Sequence, residues 1–264
     1  MIKFFRRIRQ RLLIENRASK YLLYALGEII LVVIGILIAL QINNWNENQK
    51  QKRLEQEYYC RLSEDVVMDK EQMSTLLGLA QERLEASNQS VRVLLDENSK
   101  KVEVGQLISR SLKAVYSDFQ PNNSAYQDLK SGANLNIISD KSVIKALNHY
   151  FNRVEELKSI IMVNGKYAVE LSFKHTDNFA NGANLASISN GRFSTDLDED
   201  LKKAFQIDEG ELLKPEMRER LLREALEYVS VNTRQVELYS RLLDEILSLE
   251  VLLDDKCNDK SLIE

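Results

Sequence analysis

Glu28 is the residue whose chemistry is least expected from its surroundings. It is a carboxylate inside the apolar run YLLYALGEIILVVIGILIALQI, Tyr21 to Ile42. An ionisable group is costly in hydrocarbon and is normally turned toward protein or water. At helical spacing Val32, Gly35 and Ala39 share its face, and Gly35 with Ala39 forms a small-xxx-small pair that permits close helix approach. Two readings stay open. In one, this face of Glu28, Val32, Gly35 and Ala39 meets a membrane partner, through a cation on another subunit or a protonated copy of itself. In the other, Glu28 lies about 10 Å into the span and reaches headgroups or water.

Other reactive types are sparse. The chain has two cysteines, Cys60 and Cys257, and two histidines, His149 and His175. No close Cys or His ligand pair occurs, so no metal and no cofactor are expected. No nucleophile elbow, phosphate-binding loop or HExxH pattern occurs either, and no catalytic residue is expected. Asn164, Asn232 and Gln235 interrupt apolar stripes, either as register-setting contacts of a polar core or as the lining of a pocket between helices. Tyr58, Tyr59, Tyr150, Phe151, Tyr228 and Tyr239 read as core, and the charged runs EDVVMDKEQ and RERLLREALE as solvated helix faces.

The elements that position these residues follow from composition. About twenty apolar residues suffice to cross a bilayer core. Seven basic residues (Lys3, Arg6, Arg7, Arg9, Arg11, Arg17, Lys20) precede the run, opposed by Glu15 alone. Such a leader is expected to stay in the cytoplasm. The chain as a whole carries a net charge of -4, so everything after the leader is acidic, which argues against nucleic acid as a partner. Tyr21 and Tyr24 fit the inner interface as anchors and Trp45 the outer one. A cleaved signal peptide is the competing reading, but no A-x-A pattern follows the run. The expected location is the cytoplasmic (inner) membrane, N-terminus inside, with the bulk in the periplasm.

Two prolines, nine glycines and long patterns at spacings of three and four mark an all-α chain. The organisation expected is a basic leader over 1–20, a transmembrane helix over 21–42, an extracytoplasmic up-down antiparallel bundle over 43–257 and a tail over 258–264. The first helix should continue out of the membrane, with a stripe of Leu54, Tyr58, Leu62, Val66, Met73, Leu77, Ala80, Leu84, Val91 and Leu94. A short helix is predicted over Val104 to Tyr116. Another is predicted over Ala125 to Ser131, with Ser124 and Gln127 as a capping box and Gly132 as a left-handed terminator. Leu135, Ile137 and Ile138 should enter the core, and Asp140 should cap the next helix, from Val143 to Leu171. The Asn- and Gly-rich stretch from His175 to Asp200 reads as a long loop or a broken helix and is the best candidate for mobility. Pro215 opens the last helix, in which Leu221, Ala225, Tyr228, Asn232, Gln235, Tyr239, Leu242, Ile246, Leu249 and Leu253 step by three and four before the pattern fades in DDKCNDKSLIE.

If the first and last helices are antiparallel with level tops, Cys60 lies roughly 54 Å and Cys257 roughly 62 Å below them. They would then sit at similar depth. A Cys60–Cys257 disulfide and two unpaired thiols both remain open.

Two segments resemble a known family. MIKFFRRIRQ followed by the span and NNWNEN is similar to the start of uncharacterised bacterial single-pass membrane proteins that share a domain of unknown function. The features are Gly27-Glu28-Ile29 and Asn43-Asn44-Trp45-Asn46-Glu47. The block NNSAYQDLKSGANLNIISDKSVIKALNHYF resembles that family's Tyr-x-x-Leu-x-x-Ser-Gly-x-Leu core, here Tyr126, Leu129, Ser131, Gly132 and Leu135 with the small pair shifted by one. The resemblance implies a cell-envelope protein and supplies no catalytic residues.

The function expected is a non-enzymatic binding or scaffold subunit of an envelope complex. Its expected partners are the lipid bilayer and a membrane or envelope protein, or a second copy of the chain. The alternative is a small-molecule sensor bundle that signals laterally to a membrane partner.

Overall fold

The computed structural model describes residues 18–112, 119–132, 134–174 and 210–259, together with 198 and 200. The chain is all-α, and among the described residues the only β pairing is an isolated antiparallel bridge between Lys100 and Leu212. The described residues fall into two compact units, one up to Gln56 and one from Glu57 to Asp259. Residues 1–17 of the leader and the His175 to Asp200 stretch, apart from Asp198 and Asp200, lie outside the described residues.

Helix α1 (Ala18–Leu94) is 77 residues long. It contains no proline, and its turn-forming cluster comes only at Asp96, where the carboxylate accepts the Asn98 N–H at 2.9 Å. Helix α2 (Lys101–Ser111) begins three residues before the expected Val104. The cause is tertiary. Lys101 N–H donates to the Glu211 carbonyl and Leu213 N–H to the Ser99 carbonyl, which fixes the start of α2 against the approach to the last helix. The helix ends at Ser111, and 113–116 lie outside the described residues.

Helix α3 (Ser124–Ser131) and a 3₁₀ turn (Asn134–Ile137) lead into helix α4 (Lys141–Lys174). Asp140 accepts both the Ser142 N–H (2.8 Å) and the Ser142 hydroxyl (2.6 Å), as a first-turn cap should. Of the three apolar residues expected in the core here, Ile138 is buried, whereas Leu135 and Ile137 are half-buried. Gly132 closes α3, but at φ -79°, so no left-handed residue terminates the helix. Its lack of a side chain matters instead because a Cβ there would collide with the Asn134 amide and meet the Asp128 carbonyl at 3.2 Å.

Helix α5 (Pro215–Asn258) starts on its proline and runs past the point where its pattern fades. Its buried ridge is Leu221, Ala225, Tyr228, Asn232, Gln235, Tyr239, Leu242, Ile246, Leu249 and Leu253, the 3-4 series read from the sequence.

Contact pairs within the second unit set the directions. Cys60–Cys257, Lys70–Glu250 and Arg83–Asn232 run α1 against α5. Asp140–Lys256, Arg153–Glu245 and Asn164–Gln235 run α4 against α5. Gln72–Gln120, Asp69–Asn122 and Asp65–Ser124 run α1 against the limb that contains α3. The four limbs therefore alternate in direction, which short connections favour.

The α1 ridge departs from the expected stripe at its first residue, Leu54, which is exposed, and again in its upper half. Leu77 and Leu84 are only half-buried, and the buried line passes through Asp69, Met73, Leu76, Ala80, Arg83, Ser87, Ser90 and Leu94. Following apolar residues alone misses a ridge in which Asp69, Arg83, Ser87 and Ser90, four of these eight positions, are polar. At the opposite extreme Leu242 is fully buried on α5 while Val251 is 65% exposed. Leu242→Ala should cost about 2–5 kcal/mol, and Val251→Ala no more than about 0.5 kcal/mol, in urea unfolding of the full chain in detergent.

Candidate functional site

Three groups of residues have geometry beyond plain packing: the span, a seam of carboxylates on α1, and polar clusters on the α5 ridge. In the span no residue from Leu26 to Asn48 is even half-buried by the described residues. Glu28, Val32, Gly35 and Ala39 are exposed, and nothing lies within 4 Å of where a Gly35 Cβ would stand. Trp45 is exposed too, while the side chains of Tyr21 and Tyr24 lie outside the described residues.

The seam lies on a run expected to be solvated, and the expectation fails at Asp65, Asp69 and Gln72. The limb from Phe119 to Ser124 contains Pro121, Asn122 and Asn123 and does not begin a helix until Ser124. Its backbone N–H groups therefore need acceptors from elsewhere. Helix α1 supplies them from one face. Gln72 Oε1 accepts the Gln120 N–H at 3.0 Å, Asp69 Oδ1 the Asn122 N–H at 2.7 Å, and Asp65 Oδ2 the Ala125 N–H at 2.9 Å. The match is geometric, since two residues of extended chain rise about 6.6 Å and one helical turn about 5.4 Å. Asp65 also accepts the Ser124 hydroxyl, so the first turn of α3 is capped from α1 and not by the expected Ser124–Gln127 box. Below it, Asp128 accepts from Arg61 at 3.0 Å and from the Tyr58 hydroxyl at 3.2 Å.

Asp69 is the centre of this seam. It is fully buried and accepts the Tyr150 hydroxyl at 2.5 Å and the Asn122 amide at 2.9 Å in addition to the backbone N–H. One carboxylate thus joins α1, the irregular limb and α4. Burial pushes its pKa up, against the three hydrogen bonds that pull it down. The same burial, together with the Asp69 charge, raises that of Tyr150. Among the aromatic residues expected in the core, Tyr58, Tyr59, Tyr150, Tyr228 and Tyr239 are buried, and Phe151 is half-buried and stacked on Tyr126 at 4.2 Å.

The expected polar core divides into two clusters. Asn164 Nδ2 donates to Gln235 Oε1 at 2.7 Å and to the Val231 carbonyl at 3.1 Å. Asn232 stands in a second cluster, where Nδ2 donates to Ser87 Oγ (2.9 Å) and the Ser111 carbonyl (3.0 Å) and Oδ1 accepts from Arg83 Nε (3.3 Å). Arg83 is 2% exposed, and burial lowers its pKa. Its membership was invisible in the sequence, because one arginine among QERLEAS looks like any solvated cation. Glu224 breaks the expectation for RERLLREALE in the same way. It is 4% exposed, and burial drives its carboxyl up to about 7 despite the opposing charge of Arg220.

Cys60 and Cys257 form a disulfide with Cα atoms 4.8 Å apart. His149 is exposed and faces Glu245 at 3.3 Å, and His175 lies outside the described residues. Among the described residues no three His, Cys, Asp or Glu side chains stand together as a metal site.

These features define a helical protein with one span-length apolar helix and a bundle whose irregular limb is stitched by carboxylates. A family described as a family of unknown function (DUF6090) matches residues 28–171, more than half the chain, and the protein belongs to it. The match covers Glu28, the whole α1 seam and α4 up to Leu171, and stops short of α5. No curated protein and no solved structure matches.

Two measurements probe the polar ridge. Asn232→Leu removes an acceptor from a buried guanidinium and should cost about 2–4 kcal/mol, and Arg83→Met in that background should restore most of it in a double-mutant cycle. Glu224 holds its proton more tightly in the fold than in the unfolded chain, so its contribution favours the fold at low pH. That contribution is lost as pH rises toward about 7. Glu224→Gln should therefore stabilise the protein by about 1–3 kcal/mol at pH 8 and by little at pH 5 in urea unfolding.

Proposed function

We propose that this protein is a membrane-anchored, non-enzymatic binding or scaffold subunit whose bundle stands on the oxidising side of the cytoplasmic membrane. The observation that carries the reading is the uncovered apolar surface of α1. An 18-residue window there has mean hydropathy 2.6 and none of it is buried. Water would meet that surface at a cost of about 25 cal/mol per Å², and lipid removes the cost. The basic leader orients such a helix with its N-terminus inside. The disulfide in the bundle fits the same orientation, because cross-links of this kind persist outside the reducing cytosol.

The alternative of a small-molecule sensor draws no support from the polar core, and the other place for its pocket, under the Asn-rich stretch, lies outside the described residues. The amides that were candidates for a pocket are engaged within the bundle, Asn164 by Gln235 and Asn232 by Ser87, Ser111 and Arg83. Hydrogen bonds already made to the protein favour a register-setting role over capture of a ligand.

A partner is proposed to dock in the membrane along Glu28, Val32, Gly35 and Ala39. In cells, the chain should resist carbonate extraction, and a reporter fused after Glu264 should be active only when its enzyme works outside the cytosol. Glu28→Leu should reduce crosslinking within the membrane without lowering the amount of inserted protein. A cytosolic reporter signal would overturn the topology, and unchanged crosslinking would overturn the partner face.

A further inference from the structure

We propose that Cys60–Cys257 is a redox latch that holds the last turn of α5 on α1 and, through it, the first turn of α4. The inference stands apart from the functional reading above. Its first basis is what does not hold that turn. Leu253 is fully buried, but from Asp254 to Asp259 no residue is, and Asp254, Asp255 and Asn258 are exposed. Burial of apolar surface, the main force that docks a helix, ends four residues before Cys257. The turn is nevertheless helical up to Asn258.

The second basis is position. Lys256, beside Cys257 in sequence, pairs with Asp140 at 2.7 Å. Asp140 is also the acceptor for the Ser142 N–H and hydroxyl that cap α4, and the Lys256 ammonium is the first cause holding its carboxyl below the usual range. Both partners are about a third exposed, with values of 31% and 30%, and a surface ion pair alone is a weak clamp. The covalent bond keeps Lys256 within reach of Asp140. Opening it releases the α5 turn, then the ion pair, and loosens the start of α4.

The third basis is access. Cys60 and Cys257 are both half-buried, so an attacking thiolate can approach. The partner implied is a dithiol reductant. One of its thiolates attacks a sulfur of the pair, the Cys60–Cys257 bond breaks, a mixed disulfide forms, and the displaced cysteine takes up a proton. The second thiol of the reductant gives up its proton and displaces the other cysteine, leaving two thiols here and a disulfide on the reductant. Reoxidation by a disulfide-bearing oxidant reverses both steps.

Hydrogen exchange on the full chain in nanodiscs tests the latch in three states: oxidised, treated with dithiothreitol without denaturant, and as Cys60→Ser/Cys257→Ser. A cross-link that acts only by restricting the unfolded chain slows exchange in the whole bundle by one common factor. The latch predicts that reduction accelerates residues 254–258 and 140–145 by at least about tenfold more than residues 228–242. The double variant should match the reduced protein. In oxidised Asp140→Asn, only 140–145 should accelerate. Resistance of the native disulfide to dithiothreitol, one common factor throughout, or release of 254–258 in oxidised Asp140→Asn would each overturn the proposal.

Discussion

The bundle depends on one unmet need: the backbone of the limb around Pro121, Asn122 and Asn123 has no secondary structure of its own to satisfy it. A four-limb bundle normally closes each limb's hydrogen bonds internally, as α1, α4 and α5 do. Here the second limb takes its acceptors from Asp65, Asp69 and Gln72 of α1. Burying a carboxylate costs several kcal/mol unless it is well bonded. Asp69 is buried completely, and its three donors from two other elements offset that cost. The arrangement also imposes uniqueness. A slip of the limb by one residue along α1 would leave both the backbone donors and the carboxylates unmatched.

The α5 side repeats the logic with amides. Asn232 and Gln235 sit among Tyr228, Tyr239 and Leu242 on one ridge, each matched to a specific donor or acceptor on α1, α2 or α4. Apolar side chains tolerate sliding, because burial is nearly indifferent to which neighbour supplies it. Buried amides do not tolerate it. These clusters therefore set the height of α5, and with it the meeting of Cys60 and Cys257 and of Lys256 and Asp140.

The family match ends within α4, so the carboxylate seam lies inside the matched region and α5 outside it. The seam thus lies in the part of the chain that the family matches. The amide clusters and the disulfide join that part to a helix beyond it. Anchoring in lipid would act through the uncovered apolar surface of α1, and redox control through the α5 turn that follows Leu253.

The sequence alone determined the helical class, the length and apolarity of the first helix, the α5 ridge from Leu221 to Leu253, the Pro215 start and the Asp140 cap. Each is written in local spacing or in a residue with a strong conformational preference. Only the tertiary structure decided the rest. A carboxylate at position 69, an arginine at 83 and a glutamate at 224 look the same in a solvated face as in a buried seam, because their local pattern is identical and only the partner across the bundle differs. The capping of α3 from Asp65 and the early start of α2 escaped for the same reason. Their hydrogen bonds join residues about 60 and 110 positions apart, a range at which spacing along one helix carries no information.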